Sequence, residues 1–391
     1  MDEKIKILEA MDVYLPDVDG VINCMHNYCL HINDKTHLTV AVPKNRRDYV
    51  DNQPYEIKRC GSIYIPILGD YYGFPSSSRK FKKEIYSRDY DIIHTHSPFG
   101  MSRFALKVAK KKNVPAVATF HSDMHTIFKS IFKFNFIASA VVKWMGRRYN
   151  RYDEVFVCSP LVEEQLRSYG YKGKVTYLPF GTDFPLCDCV EENAKKANEV
   201  FGLTEDELVF IYVGRLMKLK RIDFILDALK IVKEKGKNFK FYVVGKGPEA
   251  KKITKKAEKL GLKENVILTG FLPREQFPLI FSRADLLLFP SLYDNFGLVK
   301  VEGASYNTPG LFIENSCAGY GIEDGVNGYL SKEGVCSYAE KILSVVEDRE
   351  KLKNAGLSAR ESVYIHWSEC ADKLLARLTE IVREKKNGNK K

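Results

Sequence analysis

The chain has 391 residues, a formal net charge of +11 at neutral pH, 45% apolar residues and 28% charged residues. This length predicts two domains of ordinary size, and the composition is typical of a globular protein rather than a disordered or fibrous one. The basic charge alone does not distinguish nucleic acid, an anionic membrane surface and a phosphorylated substrate as partners.

The N-terminus and the cysteines indicate the compartment. The opening MDEKIKILEA begins with acidic residues and has only a short apolar stretch, unlike a secretory signal, and no apolar run is long enough to span a bilayer. The nine cysteines are scattered, and the close pairs Cys24/Cys29 and Cys187/Cys189 have no second pair at metal-site spacing. We therefore expect a cytoplasmic chain with free thiols and no structural metal.

Short apolar runs alternate with helix-length segments along the chain. The runs are KIKIL, HLTVAVP, YDIIHTHS, VPAVATFHS and EVFVCSP in the first half, and LVFIYVGRL, KFYVVGKGPE, NVILTGF, ADLLLFPSL and PGLFIENS in the second. Near-continuous apolar runs of this length predict parallel strands covered on both faces, so the pattern predicts an α/β protein with two doubly wound, Rossmann-like domains. A polar stretch without strand pattern separates the sets, which gives predicted domains 1–185 and 186–365 and an amphipathic helix in 366–391.

Ligands of parallel α/β sheets bind beyond the carboxyl ends of the strands, so the residues that directly follow each run are candidates. These candidates are Asp19, Gly20, His94, His96, His121, Gly214, Arg215, 245–247, Gly270, Phe271 and 294–297.

The segment YVGRLMKLKR indicates a diphosphate site. Arg215 offers a guanidinium that can bind two oxygens, and Lys220 offers a point charge. A solvated basic loop is the alternative. The following VVGKGPE lacks the spacing of a dinucleotide fingerprint and is better interpreted as a tight turn.

The segment DNFGLVKVEG places two carboxylates around an aromatic-glycine turn. If a helix begins near Gly297, its N-terminus favours a phosphate group, and Glu302 can accept hydrogen bonds from a ribose diol. Asp294 lies on the other side of the turn. Two surface carboxylates beside a helix start are the alternative.

The histidines follow predicted strands. His121 is expected at a strand end, where it contacts a ligand or serves structure alone. The strand period of two places His94 and His96 on one face. A metal site at this pair lacks a third ligand nearby in the sequence, so none is predicted.

Taken in order, these segments resemble the retaining nucleotide-sugar glycosyltransferases of family 4, which have the GT-B fold. The matching segments are YLPDVDGV, DIIHTHS, TFHSD, VFVCSP, LPFGTD, GRLMKLK, VVGKGPE, LTGFLP, ADLLLFPSL, DNFGLVKVEG and DGVNGYL. The resemblance covers nearly the whole chain. It implies two domains that face each other across a cleft and a C-terminal helix that packs back on the N-terminal domain.

The resemblance also implies roles for single residues. His121 and Asp294 match positions near the reacting sugar, Arg215 and Lys220 match the diphosphate-binding pair, and Glu302 matches the residue on the ribose. The implied donor-binding set is Gly20, Arg215, Lys220, Phe271, Asn295, Phe296, Gly297, Leu298, Val299 and Glu302.

Five positions depart from the family pattern. Asp294 replaces a glutamate, and Arg221 and Asn307 replace glycines. Gly303 and Tyr306 stand in EGASYNTPG where the family usually has small residues. The implied activity is metal-independent, retaining transfer of a hexose, expected to be glucose from UDP-glucose, to a hydroxyl of a membrane lipid or envelope glycan. No cofactor, covalent nucleophile or nucleic-acid partner is expected. A noncatalytic nucleotide-sugar binder or scaffold is the competing hypothesis.

Residues 127–151 combine six basic residues with interleaved aromatic residues and contain no acid. Such a segment is typical of an anionic membrane surface, with Lys129, Lys133, Lys143 and Trp144 as expected contacts. A core-packed helix with a basic outer face is the alternative. We therefore expect a cytoplasmic protein, peripheral on the inner face of the membrane.

Overall fold

The computed structural model describes residues 4–17, 20–44, 49–65, 70–121 and 135–388. The chain divides into two compact units. Unit 1 comprises Met1–Phe180 and Trp367–Lys391, and unit 2 comprises Gly181–His366. Unit 2 thus begins at residue 181, where the sequence suggested 186, and the return to unit 1 comes at residue 367, where the sequence suggested 366.

Unit 1 is built on a seven-stranded parallel sheet in the order β3-β2-β1-β6-β7-β8-β9, with a separate antiparallel hairpin of β4 and β5. The strands are β1 (Lys6–Ala10), β2 (His37–Pro43), β3 (Glu56–Cys60), β4 (Ser62–Ile65), β5 (Asp70–Gly73), β6 (Ile92–Thr95), β7 (Ala116–Thr119), β8 (Glu154–Val157) and β9 (Lys174–Tyr177). The central strands β6, β7 and β8 are buried along their whole length, which is why their sequences are nearly continuous apolar runs.

Helices cover this sheet. The described helices of unit 1 are α1 (Gly20–Ile32), α2 (Arg79–Ser87), α3 (Gly100–Lys112), α4 (Asn135–Tyr149), α5 (Pro160–Ser168) and α13 (Trp367–Gly388), with 3-10 turns at Asn33–Lys35 and Pro75–Ser77. The C-terminal helix α13 packs against α1 through a buried stripe that includes Cys370, Leu374 and Leu378. The apolar residues at helical spacing in 366–391 thus belong to the core of unit 1.

Unit 2 has a six-stranded parallel sheet in the order β12-β11-β10-β13-β14-β15. Its strands are β10 (Leu208–Val213), β11 (Phe239–Val244), β12 (Val266–Gly270), β13 (Leu286–Leu288), β14 (Gly310–Ile313) and β15 (Tyr329–Ser331). Its helices are α6 (Val190–Phe201), α7 (Ile222–Glu234), α8 (Ala250–Lys259), α9 (Phe277–Arg283), α10 (Val299–Ala304), α11 (Val335–Val346) and α12 (Arg349–Ser362), with 3-10 turns at Lys218–Lys220 and Arg274–Gln276.

Both sheets reverse their strand order at one point. In unit 1, β1 pairs with β2 on one side and β6 on the other. In unit 2, β10 likewise lies between β11 and β13. Loops diverge at such a switch point and leave a crevice at the carboxyl ends of the strands, so these two places position the candidate sites.

In the part of the chain that the structure describes, no helix combines the length and the apolar character that crossing a membrane requires.

Candidate functional site

In unit 2 the loops after β10, β11 and β12 lie side by side at the carboxyl edge of the sheet. The amide of Gly214 donates a hydrogen bond to the carbonyl oxygen of Val244 at 3.0 Å. The amide of Gly245 donates to the carbonyl oxygen of Gly270 at 2.8 Å. Gly245 has a φ of +137°, and a Cβ there would lie 2.0 Å from the Gly214 carbonyl oxygen. Only glycine permits this close approach of two backbones.

The two predicted diphosphate-binding side chains both lie at this edge but differ in whether they form an ion pair. Arg215 directly follows Gly214, is exposed, and forms no ion pair with any residue that the structure describes. Lys220 ends the 3-10 turn after it and forms a salt bridge with Asp294, while its Nζ lies 5.6 Å from the ring centroid of Phe289. The structure thus brings Lys220 and Asp294 together and leaves the Arg215 guanidinium available.

The two predicted carboxylates are incompletely satisfied. Oδ2 of Asp294 is buried and has no hydrogen-bond partner among the described residues. The side chain of Glu302, on α10, makes no hydrogen bond within the same set. Burial, with a smaller contribution from Asp183, raises the pKa of Glu302 from 4.5 to about 7. Buried polar groups without partners are costly, and a ligand with hydroxyl or amide donors would satisfy them.

The turn between them contains a glycine in the left-handed region and leads directly into α10. Gly297 has a φ of +69°, and a Cβ there would lie 3.2 Å from Cβ of Ala318. Helix α10 begins at Val299, two residues after Gly297, with Leu298 as its N-cap residue. The amides of Gly297 and Leu298 donate to no described residue, so both N–H groups are available at the carboxyl edge.

The remaining predicted donor-binding residues of unit 2 lie at the same strand ends. Phe271 follows β12 and is 77% exposed, with Nζ of Lys246 6.0 Å from its ring centroid. Asn295 and Phe296 belong to the turn, and Lys300 next to it donates to the carbonyls of Ala318 and Tyr320 at 3.1 and 2.8 Å. Lys300 thereby ties the start of α10 to the following loop.

Two of the departures from the family pattern have a backbone explanation. Arg221 and Asn307 have φ values of +57° and +59°, in the left-handed region. Glycine reaches this region without steric cost, and asparagine reaches it more easily than most other residues. The chain therefore keeps the backbone geometry at both positions although it has lost the glycines.

In unit 1 the two histidines of β6 and the loop after it lie on one face, as the strand period predicts. The rings of His94 and His96 have centroids 4.2 Å apart. Between them lies the carboxylate of Glu9 on β1, which is 3.0 Å from Nδ1 of His94 and 3.0 Å from Nε2 of His96. All three side chains are completely buried or nearly so.

His121 extends this cluster. It lies two residues after β7, and its Nε2 is 2.9 Å from Nδ1 of His96. Phe180 stacks on the His121 ring with centroids 5.4 Å apart, and Trp367 of α13 lies 6.1 Å beyond Phe180. The Tyr28 ring packs against both ends of this series, with its centroid 5.4 Å from that of Trp367 and 6.4 Å from that of His96. Through Phe180, the C-terminal helix thus packs beside His121, the residue for which the family resemblance implies a sugar contact.

Burial and charge fix the protonation of this cluster. Burial alone would raise the pKa of Glu9, but His94 and His96 lower it to about 2. Burial, with the neighbouring His94, lowers the pKa of His96 to about 4. Burial and the nearby His96 hold the pKa of His121 well below 6.5. At neutral pH Glu9 is a carboxylate, and His96 and His121 are neutral imidazoles.

Glu9 supplies the third metal-ligand type side chain that the sequence near His94 and His96 lacks. Ligand-type atoms of the three side chains lie within 4.8 Å of one another, so their chemistry suits a transition metal. In this arrangement, however, Nδ1 of His94, Nε2 of His96 and both Glu9 oxygens are all engaged in hydrogen bonds. The geometry is that of a hydrogen-bonded network.

Two other predicted sites of unit 1 are partly described. Gly20 is the exposed first residue of α1. Lys129 and Lys133 lie outside the described residues. Lys143 and Trp144 lie on α4, and both are exposed.

The structure adds functional candidates that the sequence argument did not select. Glu9, Thr119, Phe180 and Trp367 all touch the histidine cluster directly or through one ring. A signal existed for Glu9, because a carboxylate inside the apolar strand KILEA requires a buried partner. Sequence alone offered none for Trp367, which joins the cluster from the far end of the chain.

Two family models match the chain. The model described as "Glycosyltransferase Family 4" matches residues 18–184, and the model described as "Glycosyl transferases group 1" matches residues 193–362. The matches correspond to the two units, and together they span more than four-fifths of the chain.

Individual proteins agree with this result. The chain is 24% identical to the alpha-monoglucosyldiacylglycerol synthase of Streptococcus pneumoniae over 327 residues, which covers 82% of this chain and 73% of that protein. It is also 24% identical to the alpha-monoglucosyldiacylglycerol synthase of Acholeplasma laidlawii, with 81% and 82% of the two chains covered. The crystal structure of HepE from Anabaena in complex with UDP and glucose superposes with a TM-score of 0.74 at 18% identity, and covers 96% of this chain and 99% of that chain. The chain therefore belongs to glycosyltransferase family 4, is a glycosyltransferase, and has the GT-B fold with two Rossmann-like domains.

Proposed function

We propose that the protein is a retaining, metal-independent hexosyltransferase that transfers glucose from UDP-glucose to a hydroxyl group of a membrane lipid or a cell-envelope glycan. The observation that carries the proposal is the set of unsatisfied polar groups at the carboxyl edge of unit 2. Arg215 has no counter-charge, Oδ2 of Asp294 is buried without a partner, and Glu302 has no hydrogen bond within the described part of the chain. A nucleoside diphosphate sugar has the charges and hydroxyls that such a set requires.

The donor diphosphate is the natural partner of the cations. Arg215 would bind two phosphate oxygens through its planar guanidinium, and Lys220 would act as a point charge. The amides of Gly297 and Leu298 would donate to the same anion. These groups stabilise the charge that develops on the leaving UDP, which is the function that a divalent cation has in other transferases.

The carboxylates of unit 2 would orient the sugar nucleotide. Glu302 would accept hydrogen bonds from the ribose diol, and Asp294 would contact the sugar while Lys220 holds its other oxygen. For His121, in unit 1, the family resemblance implies a contact with a sugar hydroxyl near the reacting carbon. In the front-face mechanism that the family resemblance implies, the departing phosphate accepts the acceptor proton, so no residue becomes a covalent nucleophile.

Relatives and surface chemistry support a lipid acceptor. Two similar proteins carry the name alpha-monoglucosyldiacylglycerol synthase. In unit 1, the described side chains that helix α4 exposes lie along one face at helical spacing, namely Phe136, Ala140, Lys143, Trp144 and Arg147. Phe136 is 72% and Trp144 is 59% exposed, and the Arg148 guanidinium lies 4.7 Å from the Trp144 ring centroid. Aromatic rings beside cations suit the headgroup region of an anionic membrane, which would make the protein peripheral on the cytoplasmic face.

The proposed function is tested by UDP release from UDP-glucose in the presence of diacylglycerol-containing vesicles, with product analysis by mass spectrometry and the anomeric configuration by NMR. We expect a lipid-linked α-glucoside, formed at the same rate with and without EDTA. Arg215→Ala should abolish most of the activity. Lys259→Ala is a matched control because Lys259 is an exposed cation at the far end of α8.

A noncatalytic nucleotide-sugar binder would give a different result. It would bind UDP-glucose in calorimetry and release no UDP with any lipid or glycan acceptor tested. An inverted anomeric configuration, or a rate that EDTA abolishes and added metal restores, would contradict the retaining and metal-independent parts of the proposal.

The membrane contact is tested separately by cosedimentation with anionic and neutral vesicles. Each basic residue near an anionic surface contributes about 1 kcal/mol, so Lys143→Glu together with Arg147→Glu should reduce binding at low salt by more than tenfold. UDP affinity should remain unchanged in this variant. Equal binding to neutral and anionic vesicles would contradict the membrane contact and favour a glycan acceptor.

A further inference from the structure

His121 lies at the end of a hydrogen-bonded chain that starts at a buried carboxylate. Oε2 of Glu9 is 3.0 Å from Nε2 of His96, and Nδ1 of His96 is 2.9 Å from Nε2 of His121. The three residues come from the adjacent strands β1, β6 and β7 or from the loops that follow them. The chain of contacts therefore runs across the sheet at its switch point.

The positions of the protons follow from the identity of each partner. A carboxylate only accepts hydrogen bonds, so His96 donates to Glu9 from Nε2. A neutral imidazole has one N–H, so Nδ1 of His96 carries a lone pair and accepts a hydrogen bond from Nε2–H of His121. The remaining nitrogen of a neutral His121, Nδ1, then carries a lone pair as well. The low pKa values of Glu9 and His96, about 2 and about 4, agree with an ionised carboxylate and a neutral ring.

The neighbouring side chains fix the direction of these hydrogen bonds. The other Glu9 oxygen, Oε1, is 3.0 Å from Nδ1 of His94, and Nε2 of His94 is 2.7 Å from the Thr119 hydroxyl. Both carboxylate oxygens therefore accept from imidazoles, and Glu9 cannot turn without losing a buried hydrogen bond. Phe180 stacks on the His121 ring at an interplanar angle of 22° and limits its rotation.

We propose that Glu9 and His96 are positioning residues that hold His121 as its Nε2–H tautomer, so that Nδ1 accepts a hydrogen bond from a hydroxyl group of the donor sugar. The identity of this ligand rests on the proposed function, whereas the tautomer is a property of the free protein. A network that only joined strands would fix the same tautomer, but kcat would not depend on the hydrogen bond between His121 and His96. The two roles therefore differ in whether turnover follows the loss and the rescue of that hydrogen bond.

The direct test is long-range nitrogen–proton NMR of the full-length protein with labelled histidine at pH 7.5. The chain has eight histidines, and the His121→Asn variant identifies the His121 signals by their loss. We expect a protonated Nε2 and an unprotonated Nδ1 for His121. A proton on Nδ1, a doubly protonated ring, or averaged signals from both tautomers would overturn the proposal. This result does not depend on whether UDP-glucose is the donor.

A matched pair of variants separates positioning from simple structural support. In His96→Asn the side-chain carbonyl can still accept from Nε2–H of His121, whereas His96→Leu removes the acceptor. We expect kcat to fall about tenfold or more in His96→Leu and to stay within about threefold of wild type in His96→Asn, with UDP affinity unchanged in both. The tautomer of His121 should persist only in the asparagine variant.

Equal losses in the two variants, or a wild-type tautomer and kcat in His96→Leu, would overturn the positioning role. If His96→Leu fails to fold, the wild-type spectrum still decides the tautomer. If no transferase activity exists with UDP-glucose, the spectra of wild type and His96→Asn still test the proton arrangement, so failure of the proposed function is distinguishable from failure of this inference.

Discussion

The polar clusters of the two units differ in how far the protein itself satisfies them. In unit 1, both oxygens of Glu9 and both ring nitrogens of His94 and His96 have hydrogen-bond partners within the fold. In unit 2, Arg215 and Oδ2 of Asp294 have no such partners among the described residues. The network of Glu9, His94 and His96, here called the complete cluster, is satisfied within the fold. The set of Arg215, Asp294 and Glu302, here called the open cluster, would be completed by the nucleotide sugar of the proposed function.

The largest effect is expected from removing the centre of the complete cluster. Glu9→Leu leaves two buried N–H groups without an acceptor, and removing one partner of a buried charged network costs about 3 to 5 kcal/mol. Both tryptophans, Trp144 and Trp367, lie in unit 1, so tryptophan fluorescence during urea unfolding reports on that unit alone. Glu56→Leu, at an exposed ion pair of β3, is the control and should cost less than about 1 kcal/mol. Equal losses in the two variants would show that the buried network contributes no special stability.

A substitution in the open cluster should change the affinity for UDP rather than the free energy of unfolding. Arg215→Ala removes a charge-assisted contact worth about 1.5 to 3 kcal/mol, so we expect UDP to bind roughly ten- to a hundredfold more weakly. Because Arg215 has no ion pair with the described residues, the free energy of unfolding should change little. Calorimetric titration with UDP measures the first effect and thermal unfolding without ligand measures the second. An unchanged UDP affinity would remove Arg215 from the donor site.

The unsatisfied carboxylate of Glu302 should make stability depend on pH. Its pKa is raised from 4.5 to about 7, chiefly by burial, so between these values the folded protein binds more protons than the unfolded chain and the free energy of unfolding falls as pH rises. Glu302→Gln does not titrate, so at pH 8 it should be more stable than wild type by about 2 kcal/mol, after allowance for partial exposure of the side chain. Near pH 4 the two proteins should be equally stable. Calorimetry across this range tests the prediction, and parallel curves for the two proteins would contradict it.

The smallest effect concerns the backbone between α10 and β14. Asn307 has a φ of +59°, so Asn307→Ala should destabilise the protein by about 1 kcal/mol relative to Asn307→Gly. Thermal unfolding of the two variants measures this difference. Equal stabilities would show that the left-handed conformation carries no cost at this position.

The strands and most of the open cluster could be predicted from local sequence. Apolar runs such as FYVV and LLLF predict buried parallel strands, and ligand-binding residues of these folds directly follow them. Arg215, Asp294 and Glu302 are found at the carboxyl edge for that reason. The start of α10 at Val299, with Leu298 as its N-cap residue, agrees with a helix that begins near Gly297.

The complete cluster was only partly predictable because its contacts are distant in sequence. The strand period placed His94 and His96 on one face, but the partner Glu9 is 85 residues before His94 and meets it only because β1 pairs with β6. Trp367 joins from the last helix, which requires the chain to return to unit 1. Tertiary pairing of this kind is not encoded in local periodicity.

Hydrogen–deuterium exchange with and without UDP tests the contrast between the two clusters most directly. We expect UDP to protect the unit 2 segments 214–221 and 294–302, whose polar groups it completes, and to leave the exchange of β1, β6 and β7 in unit 1 unchanged. Protection of those three strands by UDP, with no change in segments 214–221 and 294–302, would contradict the account.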